Sequence, residues 1–104
     1  GLSEFELAGL SPAPSRVVAV PRVAESPVSF ECRSTQIVQL QGLNGDKVAT
    51  WLVLGEVVAV HIAQGLLKDG VYDTAAAGHV LRGGGPADYF TIGPEQLFRM
   101  RRPG

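Results

Sequence analysis

A mainly β chain is predicted by three features of the 104 residues: 13 glycines and 7 prolines leave little room for long helices, the apolar stretches are valine-rich, and Val28–Gln41 alternates with period two. With 45% hydrophobic and 18% charged residues, one ordinary globular domain with a real core is expected.

The first element is a short helix. Ser3 precedes Glu4-Phe5-Glu6, so its hydroxyl can cap orphan backbone donors while Glu6 reaches back, and Gly9 supplies a left-handed stop. Ser11-Pro12-Ala13-Pro14 cannot continue a helix, because each proline disfavours the α region at the residue before it. From Arg16 to Pro27 the chain is apolar but interrupted by Pro21 and Pro27, which predicts an extended, edge-like segment.

The even positions Val28, Phe30, Cys32, Val38 and Leu40 are apolar and most of the odd ones polar, the pattern of a half-buried strand. Asn44-Gly45 is a strong hairpin signal, because both central residues of a type I′ turn need positive φ. Val48 to Ile62 is almost wholly apolar and β-branched, so it is expected as a strand covered on both faces, with Gly55 a candidate bulge. A turn about Asn44-Gly45 pairs these strands with Arg33 opposite Glu56 and Cys32 opposite Val57.

Further on, Gln64 to Gly70 reads as a short turn or helical piece, and Asp73 can cap a single turn that Gly78 stops. Arg82-Gly83-Gly84-Gly85-Pro86 is a loop, Asp88 to Gly93 a short strand, and Pro94 to Met100 either a last helical turn or an extended tail.

A formal net charge of -1 gives no electrostatic footprint for nucleic acid. Gly55, Glu56 and His61 interrupt the longest apolar run, so no membrane span is expected, and no secretory leader is legible. The single cysteine, Cys32, excludes an intramolecular disulfide and fits a reducing cytoplasm.

Glu56, inside an apolar strand, is read either as the partner of Arg33 in a cross-strand ion pair or as a cofactor or substrate contact. His61, placed on the Trp51 and Val57 face near Val28, is either a core or rim histidine with a backbone partner or a flavin or nicotinamide contact. Cys32 is expected inward, as a small apolar side chain. His79 has no second ligand at metal spacing, so no metal is expected. Arg82 with its glycines is either a surface loop or a cradle for phosphate or carboxylate, and Arg99-Met100-Arg101-Arg102 a solvated basic end. No Ser/His/Asp arrangement, nucleophile elbow or Walker loop supports hydrolase chemistry.

Three stretches, Phe5-Glu6-Leu7-Ala8-Gly9-Leu10-Ser11-Pro12, Pro21 to Arg33, and Leu54-Gly55-Glu56-Val57-Val58-Ala59-Val60-His61-Ile62, resemble in order and spacing the flavin reductase-like, FMN-binding split-barrel family. The resemblance runs from Phe5 to at least Tyr89. It implies that residues 1–104 are the C-terminal portion of a single split β-barrel domain with short helices, whose N-terminal half is missing here or supplied as a separate chain. It further implies FMN as cofactor, NADH or NADPH as reductant, a homodimer, and hydride transfer to the flavin, with a non-catalytic flavin-binding or oligomerisation module as the alternative. On this resemblance Glu56, His61, Arg82, Gly84 and Tyr89 are cofactor contacts, and none is a catalytic acid or base.

Overall fold

The computed structural model describes residues 3–104, which are mainly β with few helices. The chain divides into two compact units, Gly1–Ile62 and Ala63–Gly104.

The first unit opens with helix α1, Glu4–Ala8, where the Ser3 hydroxyl accepts from the Glu6 amide at 3.3 Å and Gly9 closes the helix at φ 70°. Two short strands follow, β1 (Pro12–Ala13) and β2 (Arg22–Val23), paired antiparallel. The Ser11 amide donates to both carboxylate oxygens of Glu25, at 2.9 and 3.0 Å, and this bond holds the Glu25 carboxyl below its usual range. Between the two strands, residues 16–20 are bent rather than extended. The reason is Glu31, around whose carboxylate three successive amides of this stretch are turned.

The body of the unit is a long antiparallel hairpin of β3 (Val28–Gln41) and β4 (Lys47–Ile62). Its turn is not the expected type I′. Gly45 N–H bonds to Gly42 O at 3.0 Å and Gly42 N–H to Asp46 O at 2.8 Å, and Gly45 has φ 88°. Asn44 is not among the positive-φ residues. A three-residue loop that ends in a left-handed glycine therefore makes the reversal.

Arg33 pairs with Glu56 and Cys32 with Val57, as the sequence predicts. Irregularities interrupt that register on both sides. Thr35 is an extra residue in β3, opposite the Leu54-Gly55 step, and Val58 an extra residue in β4, opposite the Glu31-Cys32 step. Gly55 itself is paired with Ser34, so the bulge expected at Gly55 lies across the ribbon from it.

Two expectations about covering fail for one reason. No apolar side chain among the described residues is buried, and β4, expected to be covered on both faces, leaves Trp51 at 58% and Val53 at 60% exposure. Cys32, expected inward, is exposed. The β3 and β4 strands form a sheet of two strands only, and a ribbon has no second layer to cover either face.

The second unit starts with a 3-10 turn, Gln64–Leu66, and a tight hairpin of β5 (Leu67–Lys68) and β6 (Val71–Tyr72). Asp69 and Gly70 connect these strands with φ 54° and 76°, so the type I′ turn of this chain lies here. Asp73 Oδ1 accepts from the Ala76 amide at 3.2 Å and Gly78 ends that turn at φ 62°, as expected. A second hairpin, β7 (Val80–Arg82) with β8 (Tyr89–Thr91), encloses the glycine loop, and a 3-10 turn at Pro94–Gln96 follows. A Cβ at Gly83 would come within 2.2 Å of the Phe90 ring, so any larger residue there would displace that ring.

Candidate functional site

The most enclosed side chain among the described residues is charged. Glu31 is 2% exposed, and its carboxylate accepts from the amides of Arg16 at 2.8 Å, Val17 at 2.7 Å and Val18 at 3.1 Å. A fourth contact comes from His61, whose Nε2 lies 2.5 Å from Glu31 Oε2. The Arg16 amide and then the His61 hydrogen bond outweigh the opposing effect of burial and, with smaller contributions from the Val17 and Val18 amides, hold the Glu31 carboxyl at about 2. An ionised carboxylate only accepts, so the His61 ring donates through Nε2.

The Val58 bulge makes this contact. In the unbroken register around Arg33 and Glu56, His61 falls opposite Val28, on the ribbon face away from Glu31. With Val58 unpaired, Glu31 sits opposite Ala59 and His61 opposite Ser29. His61 is thereby turned onto the face of Glu31, as its diagonal neighbour. The expected placement of His61 on the Trp51 and Val57 face is corrected accordingly, and its partner is a carboxylate rather than backbone.

Arg33 and Glu56 lie side by side on that same face by register. They form no ion pair among the described residues. Arg33 Nη2 instead donates to Val17 O at 3.1 Å, so the 16–18 stretch receives Glu31 through its amides and Arg33 through a carbonyl. Glu56 is exposed and has no side-chain hydrogen bond among the described residues.

In the second unit the structure brings Arg82, Gly84 and Tyr89 together. The Arg82 guanidinium donates to Gly84 O at 3.1 Å, Gly85 O at 2.9 Å and Pro86 O at 3.4 Å, and lies 5.2 Å from the Tyr89 ring centroid. Gly84 and Gly85, at φ 89° and 58°, allow the loop to aim its carbonyls at the guanidinium. Arg82 is thus occupied in closing its own loop. Nearby in sequence, the Tyr72 hydroxyl and His79 Nε2 are 2.8 Å apart, a pair that sequence reasoning did not find. An apolar hollow of about 200 Å³ lies among Leu81, Ile92, Leu97 and Phe98, smaller than a cofactor site and not lined by Arg82, Gly84 or Tyr89.

Glu31 was also missed. Its odd position in an alternating strand reads as solvent-facing. The available signal was chemical: Phe30-Glu31-Cys32 and Val60-His61-Ile62 each place one ionisable group between apolar neighbours at the open end of the same hairpin. No cluster of three or more metal-ligating side chains occurs among the described residues. None of the described helices is long and apolar enough to cross a membrane.

No family model matches the chain. An uncharacterised protein of Halalkalibacterium halodurans is 39% identical over 101 residues, which is 97% of this chain and 46% of that protein. Another, from Deinococcus radiodurans, is 35% identical over 92 residues, 86% of this chain and 37% of that protein. The chain spans less than half the length of these curated relatives. Among solved structures, component B of nitrilotriacetate monooxygenase from Bacillus cereus is similar at a TM-score of 0.79 and 31% identity, over 93% of this chain and 46% of that one. The Pseudomonas fluorescens 2-nitrobenzoate 2-nitroreductase NbaA is similar at 0.74 and 25%, over 99% and 49%. A split barrel domain protein of flavin-reductase type from Shewanella frigidimarina is similar at 0.72 and 26%, over 98% and 48%. The described strands therefore have the fold of about half of a flavin reductase-type split barrel.

Proposed function

We propose that this chain is the C-terminal portion of an FMN-dependent oxidoreductase that passes a hydride from NADH or NADPH to flavin. The observation that carries the reading is the match of nearly the whole chain to about half of each of three reductase or monooxygenase-component structures. The exposed ribbon supports it too. Ile37, Trp51 and Val53, at 63%, 58% and 60% exposure, are an apolar surface that a barrel and a homodimer partner would cover.

The residues present fit FMN in part. His61 keeps a free ring nitrogen and the ribbon offers apolar walls, whereas Arg82 directs three N–H donors to Gly84, Gly85 and Pro86 and is not a ready phosphate ligand. We therefore assign His61 and Glu56 to the flavin or nicotinamide. Arg82, Gly84 and Tyr89 shape their own loop, and the phosphate donors come from the remaining half of the barrel. Bound flavin supplies the hydride acceptor, and this chain supplies positioning. A cytoplasmic setting, with reduced nicotinamide at hand, suits that role.

The test is to join the chain to an N-terminal barrel half, as in a protein of its relatives' length, and follow flavin absorbance near about 450 nm. Bleaching by NADH or NADPH supports the oxidoreductase. Flavin that stays yellow would select a non-catalytic flavin-binding module, and a colourless protein in excess FMN would end the flavin reading.

A further inference from the structure

Every polar atom between Glu31 and His61 has a partner except one. Oε1 of Glu31 takes the Val17 and Val18 amides, and Oε2 takes the Arg16 amide and His61 Nε2. The carboxylate has no hydrogen to give, so the Nε2 hydrogen belongs to the ring, and in a neutral imidazole the lone pair is then on Nδ1. That nitrogen has no protein partner among the described residues. Nor is it sealed away: Arg22 Nε is the one unpartnered buried side-chain atom among them, and the His61 side chain keeps 22% exposure.

We propose that Glu31 is a positioning residue that commits Nε2 of His61 to the fold and leaves Nδ1 as its ligand-facing atom, an acceptor for an N–H or O–H donor. The proposal rests on the oxidoreductase reading for the identity of that ligand alone: the flavin imide and the nicotinamide carboxamide both present such a donor. Glu31 itself stays out of reach of the ligand. The bulge aims the ring, and the carboxylate selects its tautomer.

The tautomer is read by ¹⁵N NMR of the His61 ring in the full chain at about pH 9, where an ordinary imidazole is neutral. Nε2–H is expected in the wild type. In Glu31→Gln the amide oxygen takes the place of Oε1 before two amides, those of Val17 and Val18, so the NH₂ stands at the place of Oε2, facing His61 and the Arg16 amide, and the ring is expected to invert to Nδ1–H. An Nδ1–H ring in the wild type, or the same tautomer in both proteins, would overturn the proposal. Should Glu31→Gln not fold, the wild-type spectrum decides this half alone.

His61→Gln and His61→Asn test the other half, because a Gln amide reaches the place of Nε2 and an Asn amide that of Nδ1. In the chain joined to its barrel half, His61→Gln is expected to keep the wild-type melting midpoint while FMN or NADH binding weakens about tenfold. Wild-type affinity in His61→Gln would overturn the ligand-facing role. A wild-type protein that binds neither cofactor would overturn both the oxidoreductase reading and that role, and the NMR result would still decide the tautomer.

Discussion

Glu31 and His61 meet because β4 carries one residue more than β3 at Val58, which turns His61 onto the face where Glu31 already gathers the amides of Arg16, Val17 and Val18. One extra residue thus converts a strand-end histidine into the lid of a carboxylate cradle. The cradle in turn fixes the bent 16–20 stretch, which has no regular secondary structure of its own.

Removing the carboxylate therefore orphans three amides and the histidine together. Glu31→Ala is expected to lower the thermal midpoint by about 5 °C or more and to expose the 16–18 amides to hydrogen exchange. Glu25→Ala, which frees a single exposed amide at Ser11, is expected to change the midpoint by less than about 2 °C. Equal effects of the two substitutions would show that the cradle does not organise the first unit.

Acid should act through the same group. The Glu31 carboxyl is lowered from 4.5 to about 2, so the folded state favours its ionised form. Its contribution is then complete above the unfolded value near 4.5 and is lost as the pH falls through the folded value near 2. Glu31→Gln has no proton to take up at this position. Denaturant midpoints measured across that window should fall more steeply for the wild type than for Glu31→Gln, and parallel slopes would contradict the assignment.

The two long strands were legible because alternation and β-branching depend on local sequence alone, and Val28–Gln41 ends where its pattern ends. The bulge was not, since nothing in Val57-Val58-Ala59 marks one valine as unpaired, and the contact of His61 with Glu31 that accompanies it lies thirty residues apart in sequence. Burial was misjudged for the same reason. An apolar strand such as β4 announces that it will be covered, but not that the covering layer belongs to this chain. Turn chemistry misled in a different way. Asn-Gly and Asp-Gly carry the same signal, yet the strands around Asp69-Gly70 take the tight turn, while Asn44-Gly45 closes a three-residue loop.

Asp69 and Gly70 give that distinction a test. Both hold positive φ, which costs an L-residue with a Cβ roughly 1 kcal/mol and glycine almost nothing. Gly70→Ala should destabilise the second unit by about 1 kcal/mol, whereas Asp69→Gly should be within about 0.5 kcal/mol of wild type. At Asn44, which does not need positive φ, substitution by Ala should be tolerated to within about 1 kcal/mol. A larger loss at Asn44 than at Gly70 would mean that the reversal of the long hairpin has been misread.

The remaining prediction concerns FMN and the 104 residues alone. Tight binding of this cofactor needs donors for a dianionic phosphate as well as apolar walls for its ring. The walls are present on the ribbon. The guanidinium of Arg82, beside a glycine loop, is turned onto Gly84, Gly85 and Pro86 and lies over Tyr89, so recruiting it for a bidentate phosphate contact would break up to three hydrogen bonds to gain about two. Titration of FMN into this chain should accordingly leave flavin fluorescence nearly unchanged at micromolar concentrations, and addition of an N-terminal barrel half, joined or separate, should restore quenching. Arg82→Lys, which loses the planar fork, should loosen the loop and raise amide exchange at Gly83 and Asp88 about tenfold without creating FMN affinity. Stoichiometric micromolar binding by the 104 residues would instead mean that they hold a complete site without the remaining barrel half.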